Sequence, residues 1–207
     1  MKNPIVRINP VIRFVFFTNS AYAFSHGLVI PFFAVFASTH LRGGNITVAS
    51  LASGIFLTSI GFSQLAGGFT LDRVRKKISE KFLFYLFTSR YILMSICLAA
   101  LMLVNSPWHL YIVQGAFGLV IGLTQPLAHV IQTRYMDVGK EGYEWGISGF
   151  IFNVFSGLSA FLSGLIIAHL GFKPLFLFGA LFNLIAAAFA GQTLREYVKM
   201  ERRKTRS

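Results

Sequence analysis

Six long stretches of the sequence carry almost no charge, and this feature constrains the fold more than any other. They cover residues 14–38, 47–71, 82–104, 108–133, 145–168 and 174–193, and Arg90 is the one Lys, Arg, Asp or Glu within them. About 20 apolar residues in a helix cross the hydrocarbon core of a bilayer, and lipid-exposed backbone must satisfy its hydrogen bonds within the segment. The sequence therefore predicts an all-α membrane protein, with a single domain of six transmembrane helices over residues 1–207.

The overall composition excludes a water-soluble enzyme or domain. Hydrophobic residues make up 55% of the chain and charged residues 13%, whereas soluble domains have about a quarter charged residues. The net charge of +12 does not indicate nucleic-acid binding, because the charges cluster in short connectors and at the ends instead of forming a basic stripe. We therefore expect the lipid bilayer, and no nucleic acid, as the chain's surroundings.

The distribution of Lys and Arg predicts the topology. One side of the predicted bundle holds 16 of them and the other side holds Arg42 and Lys173. An excess of basic residues marks the cytoplasmic side of a membrane protein. We therefore expect both termini in the cytoplasm, with the protein in a plasma membrane or a bacterial inner membrane. The 16 residues are Lys2, Arg7, Arg13, Arg73, Arg75, Lys76, Lys77, Lys81, Arg134, Lys140, Arg195, Lys199, Arg202, Arg203, Lys204 and Arg206.

A short internal repeat relates the two halves of the chain. The segment Gly27–Pro31 recurs as Gly122–Pro126, 95 residues later, and Ser53-Gly54 recurs as Ser148-Gly149 at the same offset. Helices 1–3 and 4–6 are therefore predicted to be related three-helix units. Since three is an odd number, the two units would cross the membrane in opposite directions, as in many transporters.

The connector between the second and third helices, Gly67–Lys77, carries the most specific motif. It resembles the G-x-L-A-D-R-x-G-R-[KR] loop of the major facilitator superfamily of transporters. Thr70 and Arg75 depart from that pattern, and Arg75 replaces a glycine that allows a tight turn. The residues in register with the motif are Gly68, Asp72, Arg73, Lys76 and Lys77.

This resemblance implies a fold, a function and a role for the loop. Members of the family move small solutes by alternating access, and Asp72 with the basic residues after it would form a charge network that latches the cytoplasmic gate. The alternative is that Arg73 to Lys77 only fix the topology. A typical member has twelve helices, so six correspond to a half-size transporter, for which a homodimer of parallel copies would complete the pathway.

Three other readings of the same resemblance stay open. The chain is the N-terminal half of a longer transporter in the first, and pairs with a different six-helix chain in the second. In the third it is a membrane scaffold or assembly subunit that transports nothing.

Polar residues inside the predicted spans are the candidates for lining a pathway. Ionisable groups at mid-bilayer cost free energy and usually face protein or water. Arg90 would either attract an anionic group or extend to the headgroups. Two stripes with spacings of three and four would either line a cavity or only bind the helices together. They comprise Asn19, Tyr22 and His26 on the first helix, and Gln125, His129 and Gln132 on the fourth.

The same residues limit the chemistry. No spacing typical of metal ligands, nucleophiles or phosphate loops occurs, so we expect no enzymatic activity, cofactor or metal. The spans contain no deep carboxylate, which favours a neutral or anionic small-molecule substrate over a cationic one, and favours passive facilitation at least as much as proton coupling. The substrate itself is not indicated.

Overall fold

A computed structural model describes residues 8–204, and these residues form six helices and no strand, which confirms the predicted fold class. The bounds of α1 to α6 are Pro10–Thr39, Ile46–Val74, Glu80–Leu101, Pro107–Tyr135, Glu141–Leu170 and Phe172–Lys204. Each helix is long and apolar enough to cross a membrane. The predicted span 174–193 is shorter than α6, because the helix continues as a polar extension beyond its apolar part.

The helices begin and end where local chemistry favours it. The side-chain oxygens of Asn9 and Asn45 accept hydrogen bonds from Val11 N at 3.0 Å and Val48 N at 2.9 Å. Such caps satisfy amides that have no partner inside the helix. Gly171 ends α5 with a φ of +82°, a backbone conformation that favours glycine. The sharp turn there lets α6 begin at once and return alongside α1 and α3.

Successive helices run in opposite directions, so the connectors collect at two ends of the bundle. At one end, Glu80 of α3 pairs with Arg134 of α4, and Lys81 Nζ lies 3.4 Å from Glu201 Oε2 of α6. At the other end, the ring of His40 lies 4.9 Å from that of Phe172. The end with the ion pairs is the one for which the Lys and Arg count predicts a cytoplasmic location.

Small residues set the closest approaches between helices. A Cβ added at Gly27 of α1 would collide with Ser156 O of α5, and one added at Gly122 of α4 would collide with Ser63 Oγ of α2. A Cβ at Gly67 would lie 2.6 Å from Leu123 O. Glycines let two helix backbones approach in lipid, where dispersion contacts and hydrogen bonds replace the hydrophobic effect as the force between helices.

These contacts follow the predicted repeat. α1 packs on α5 as α4 packs on α2. Ser156 Oγ of α5 donates to Ala23 O at 3.0 Å, and Ser63 Oγ of α2 lies 3.4 Å from Gly118 O. Ala23 and Gly118 are 95 residues apart, as are Gly27 and Gly122. The contacts therefore use equivalent positions of α1 and α4, whereas the serines on the partner helices, Ser156 and Ser63, are 93 residues apart.

The core lies where α1, α3 and α6 meet, and its largest fully buried side chains include Tyr91, Phe84, Phe87 and Phe176. α5 contrasts with this core, because only 11% of the residues in its most hydrophobic 18-residue stretch are buried. Phe150 and Phe161 on α5 are 66% and 75% exposed. Apolar side chains exposed along a membrane-crossing helix must meet lipid or another protein.

Candidate functional site

Arg90 of α3 is a buried cation near the middle of the bundle. Its side chain is 2% exposed, and Nη2 donates to Gln125 Oε1 of α4 at 2.6 Å. Nη1 lies 3.5 Å from Thr124 O, and Nε has no hydrogen-bond partner among the described residues. The guanidinium therefore points inward between helices and does not extend to the end of the bundle. No ion pair within residues 8–204 involves Arg90.

A short polar chain extends from Arg90 along α4. Gln125 Nε2 lies 3.2 Å from His129 Nε2, one turn further along the helix. Because Gln125 Oε1 already accepts from Arg90, its amide nitrogen must face His129, and the imidazole nitrogen there accepts. Gln125 and His129 of the predicted α4 stripe thus form a hydrogen-bonded series that begins at the guanidinium.

The α1 stripe reaches the same cluster from the opposite side. The Arg90 guanidinium carbon lies 5.7 Å from the Tyr22 ring and 5.4 Å from the Tyr91 ring, within range of cation–π attraction. The Tyr22 ring lies 6.1 Å from that of His26. Arg90, Tyr22, His26, Gln125 and His129 therefore form one cluster between α1, α3 and α4.

Two predicted pathway residues lie apart from this cluster. Asn19 Nδ2 donates to Ser148 Oγ of α5 at 3.2 Å, so it joins two helices. Gln132 is 6% exposed, and its Nε2 has no hydrogen-bond partner within the described part of the chain. The first fits the reading in which a polar residue binds helices together.

Two adjoining cavities lie beside the cluster. The first has a volume of about 230 Å³, is lined by Tyr22, His26 and Asn183 with apolar side chains, and is called here the Asn183 cavity. The second, of about 310 Å³, includes Gln114 and is called the Gln114 cavity. His26 lines both. Mostly apolar walls with a few polar groups are typical of small-molecule sites.

The cavities open on one side of the six-helix unit. Leu57 of α2 and Ile30 of α1 line both of them, yet the two residues are 64% and 44% exposed. The described residues alone therefore leave one wall of the cavities incomplete, and that wall lies beside α2.

Sequence reasoning missed Asn183, Ser25 and Gln114. Asn183 is a lone amide in the apolar run of α6, with no polar neighbour at helical spacing. Ser25 is an ordinary small residue of a membrane helix until its contact with α6 is known. Gln114 stands in the sequence 95 residues after Asn19, so the internal repeat was the signal for it.

The predicted gating residues lie at the end of α2 and after it. Asp72, Arg73, Lys76 and Lys77 are all exposed, and no ion pair among residues 8–204 involves them. The Arg73 guanidinium carbon lies 3.9 Å above the ring of Phe69. A Cβ at Gly68 would make ordinary contact with Pro126 at 3.8 Å. The charges are therefore available to a surface outside the described chain.

Comparison with known proteins identifies the family. A search of curated proteins found no match. The family model for the Major Facilitator Superfamily matches residues 15–206, which is nearly the whole chain. The six helices of the chain fit a half-size member of that family. The chain thus belongs to the Major Facilitator Superfamily and is an integral membrane protein of the transporter type.

Proposed function

We propose that this protein moves a small neutral or anionic solute across the membrane by alternating access. The observation that carries the proposal is the buried Arg90 cluster beside two cavities that open through Leu57 and Ile30. A desolvated cation with no carboxylate partner attracts anionic groups more strongly than it would in water. Among the described residues, no Asp or Glu lines either cavity, which disfavours a cationic solute.

The transporting unit is a homodimer of parallel copies, with the exposed faces of α2 and α5 at the interface. A Cβ at Gly54 or Gly61 of α2, or at Gly149 or Gly157 of α5, would meet no atom within 4 Å. Bare glycines on a membrane helix permit close helix packing. A second copy on these faces would close the open wall of the cavities, and two parallel copies need only one topology.

The loop residues Asp72, Arg73, Lys76 and Lys77 latch the cytoplasmic side. Their exposure and their position at the end of α2, beside the proposed interface, support this role. The two copies would bring two such loops together, so that Asp72 of one copy meets the cations of the other. Both termini and both loops lie in the cytoplasm, as the Lys and Arg count indicates.

Solute flux into liposomes, measured over a range of solute classes, tests the proposed function. The purified protein is reconstituted, and light scattering follows osmotic swelling with a panel of neutral polyols, sugars and small organic anions. We expect saturable flux of at least one solute, above that of protein-free liposomes. Flux equal to protein-free liposomes for the whole panel would contradict transport and favour a scaffold role.

A further inference from the structure

A groove with a basic half lies between α3 and α6, at the end of the bundle for which the Lys and Arg count predicts a cytoplasmic location. Its volume is about 730 Å³. Tyr85 of α3 forms one wall, and side chains from residues 188–202 of α6 form the other. It is called here the α3–α6 groove. No residue of α2 or α5 lines it, so it is separate from the helices of the proposed dimer interface.

Three cations of α6 line this groove. Arg195, Lys199 and Arg202 follow one another at spacings of four and three residues, which puts them on one face of the helix, and all three are exposed. Lys199 Nζ lies 2.6 Å from Glu196 Oε1, but no ion pair within residues 8–204 involves Arg195 or Arg202. No Asp or Glu of the described chain lines the groove. Its positive charge is therefore available to an anionic ligand.

The three cations lie at the depth of the lipid headgroups. The predicted span 174–193 of α6 is about 30 Å long at 1.5 Å per residue, which matches the hydrocarbon core of a bilayer. Arg195 and Lys199 lie about 3 Å and 9 Å beyond its end along the helix. Arg202 follows less than one turn later, and its long side chain can extend back toward the membrane. Lipid phosphates are therefore the anions nearest to these residues.

Tyr85 faces the cations from the other side of the groove. The ring of Phe84 lies 5.1 Å from that of Tyr197, which sets these two residues of α3 and α6 at one level. The two helices run in opposite directions, so Tyr85 lies level with the turn between Arg195 and Lys199. Tyr85 is 62% exposed. Tyrosines are frequent at membrane–water interfaces, and the phenol can donate a hydrogen bond to a phosphate oxygen.

The half of the groove that extends toward the bilayer centre has small residues at its base. Gly191 and Ala188 lie about 6 Å and 10 Å below Arg195 along α6, and both line the groove. A Cβ added at Gly191 would meet no atom within 4 Å, and Ala188 is exposed. A shallow apolar channel therefore continues from the basic half into the membrane, where it can hold an acyl chain.

We propose that the α3–α6 groove binds one anionic phospholipid per chain. Its phosphate lies between Tyr85 and the pair Arg195 and Lys199, and one acyl chain packs over Gly191 and Ala188. Guanidinium groups bind phosphate oxygens through paired hydrogen bonds, and basic residues near the surface attract anionic lipids. A lipid bound there attaches the polar extension of α6 to the membrane surface. This inference does not depend on the proposed transport function.

Titration of delipidated protein with two lipids, followed by native mass spectrometry, tests the inference. Dioleoyl phosphatidylglycerol and dioleoyl phosphatidylcholine have the same acyl chains and phosphate but differ in net charge. We expect one phosphatidylglycerol per chain, bound at least about tenfold more tightly than phosphatidylcholine. In a triple variant with Arg195→Gln, Lys199→Gln and Arg202→Gln, the ratio of the two affinities should fall to about one.

A second triple variant separates the groove from the general charge of this end of the bundle. Arg13→Gln, Arg75→Gln and Lys140→Gln remove the same charge from exposed residues at that end that do not line the groove. Their combination should keep the wild-type ratio. Equal affinity of the wild type for both lipids, or an equal loss of the ratio in both triple variants, would overturn the inference.

Two further measurements test the acyl-chain half of the groove. Gly191→Phe fills it and should weaken phosphatidylglycerol binding, whereas Gly146→Phe, at an equally open position of α5, should not. Glycerophosphoglycerol, the same headgroup without acyl chains, should not displace the lipid at equal concentration. Displacement by it would indicate a site for soluble anions, and unchanged lipid binding in Gly191→Phe would place the lipid elsewhere. Either result would contradict the proposal.

Discussion

Gly27 and Gly122 are positions where the absence of a side chain decides the packing. Each faces a serine-bearing helix so closely that an added Cβ would collide with it. Each also precedes a proline by four residues, and the proline has no N–H to donate to the glycine's carbonyl. The glycine and the proline therefore act in the same way in both helices. The glycine lets α5 approach α1 and α2 approach α4, and the proline leaves the glycine's carbonyl without its helical hydrogen-bond donor.

Gly27→Ala should destabilise the protein, because the new methyl group meets the α5 backbone at Ser156. We expect a loss of about 1–3 kcal/mol, typical of overpacking. Gly115→Ala is the matched control, since its Cβ would lie 3.7 Å from Ile55 Cγ2, an ordinary contact. Thermal unfolding in detergent measures both variants, and equal stability of the two would contradict this view of the α1–α5 contact.

At the level of the helices, their number and type could be predicted and their partners could not. Length and absence of charge suffice to indicate six spans, because lipid permits little besides a helix. A glycine such as Gly67 indicates that another helix approaches closely at that position. It does not indicate that the approaching residue is Leu123 of α4. Boundaries differ most at α6, where a polar helix continues past the apolar residues and Tyr197 packs on Phe84.

The candidate site shows the same limit. Arg90, Gln125 and His129 could be selected from the sequence, because polar groups at mid-membrane cost free energy without a reason to be there. Their clustering with Tyr22 depends on how α1, α3 and α4 cross, and the spacing of residues within one helix does not determine those crossings. Asn183 could not be selected, because its contact with Ser25 depends on how α1 and α6 pack.

The connector after α2 carries a prediction of its own. Asp72→Lys should reduce solute flux into liposomes at least about tenfold, because it replaces the only anion of the proposed latch with another cation. Membrane insertion and yield should stay near wild type, since the residue is exposed at a helix end. Glu141→Lys, an exposed charge reversal at the same end but outside the loop, is the control. Normal flux in Asp72→Lys would exclude the latch role.

The molecule as a whole presents two nearly unpacked helix faces and an incomplete cavity. In the most hydrophobic 18-residue stretches of α2 and α5, 22% and 11% of the residues are buried, and these are the lowest fractions of the six helices. α2 borders the side on which the cavities open through Leu57. A second copy placed there would cover apolar surface, bare glycines and the missing wall together, which is why we place the dimer interface on these helices.

Native mass spectrometry in mild detergent tests this assembly most directly. The chain has a mass of 23.0 kDa, so the proposal predicts a predominant species of twice that mass. Gly149→Trp, which puts a large side chain on the exposed face of α5 where nothing lies within 4 Å, should shift the protein to monomer without unfolding it. A wild-type protein that is monomeric under all mild conditions would contradict a transporter built from two copies of this chain.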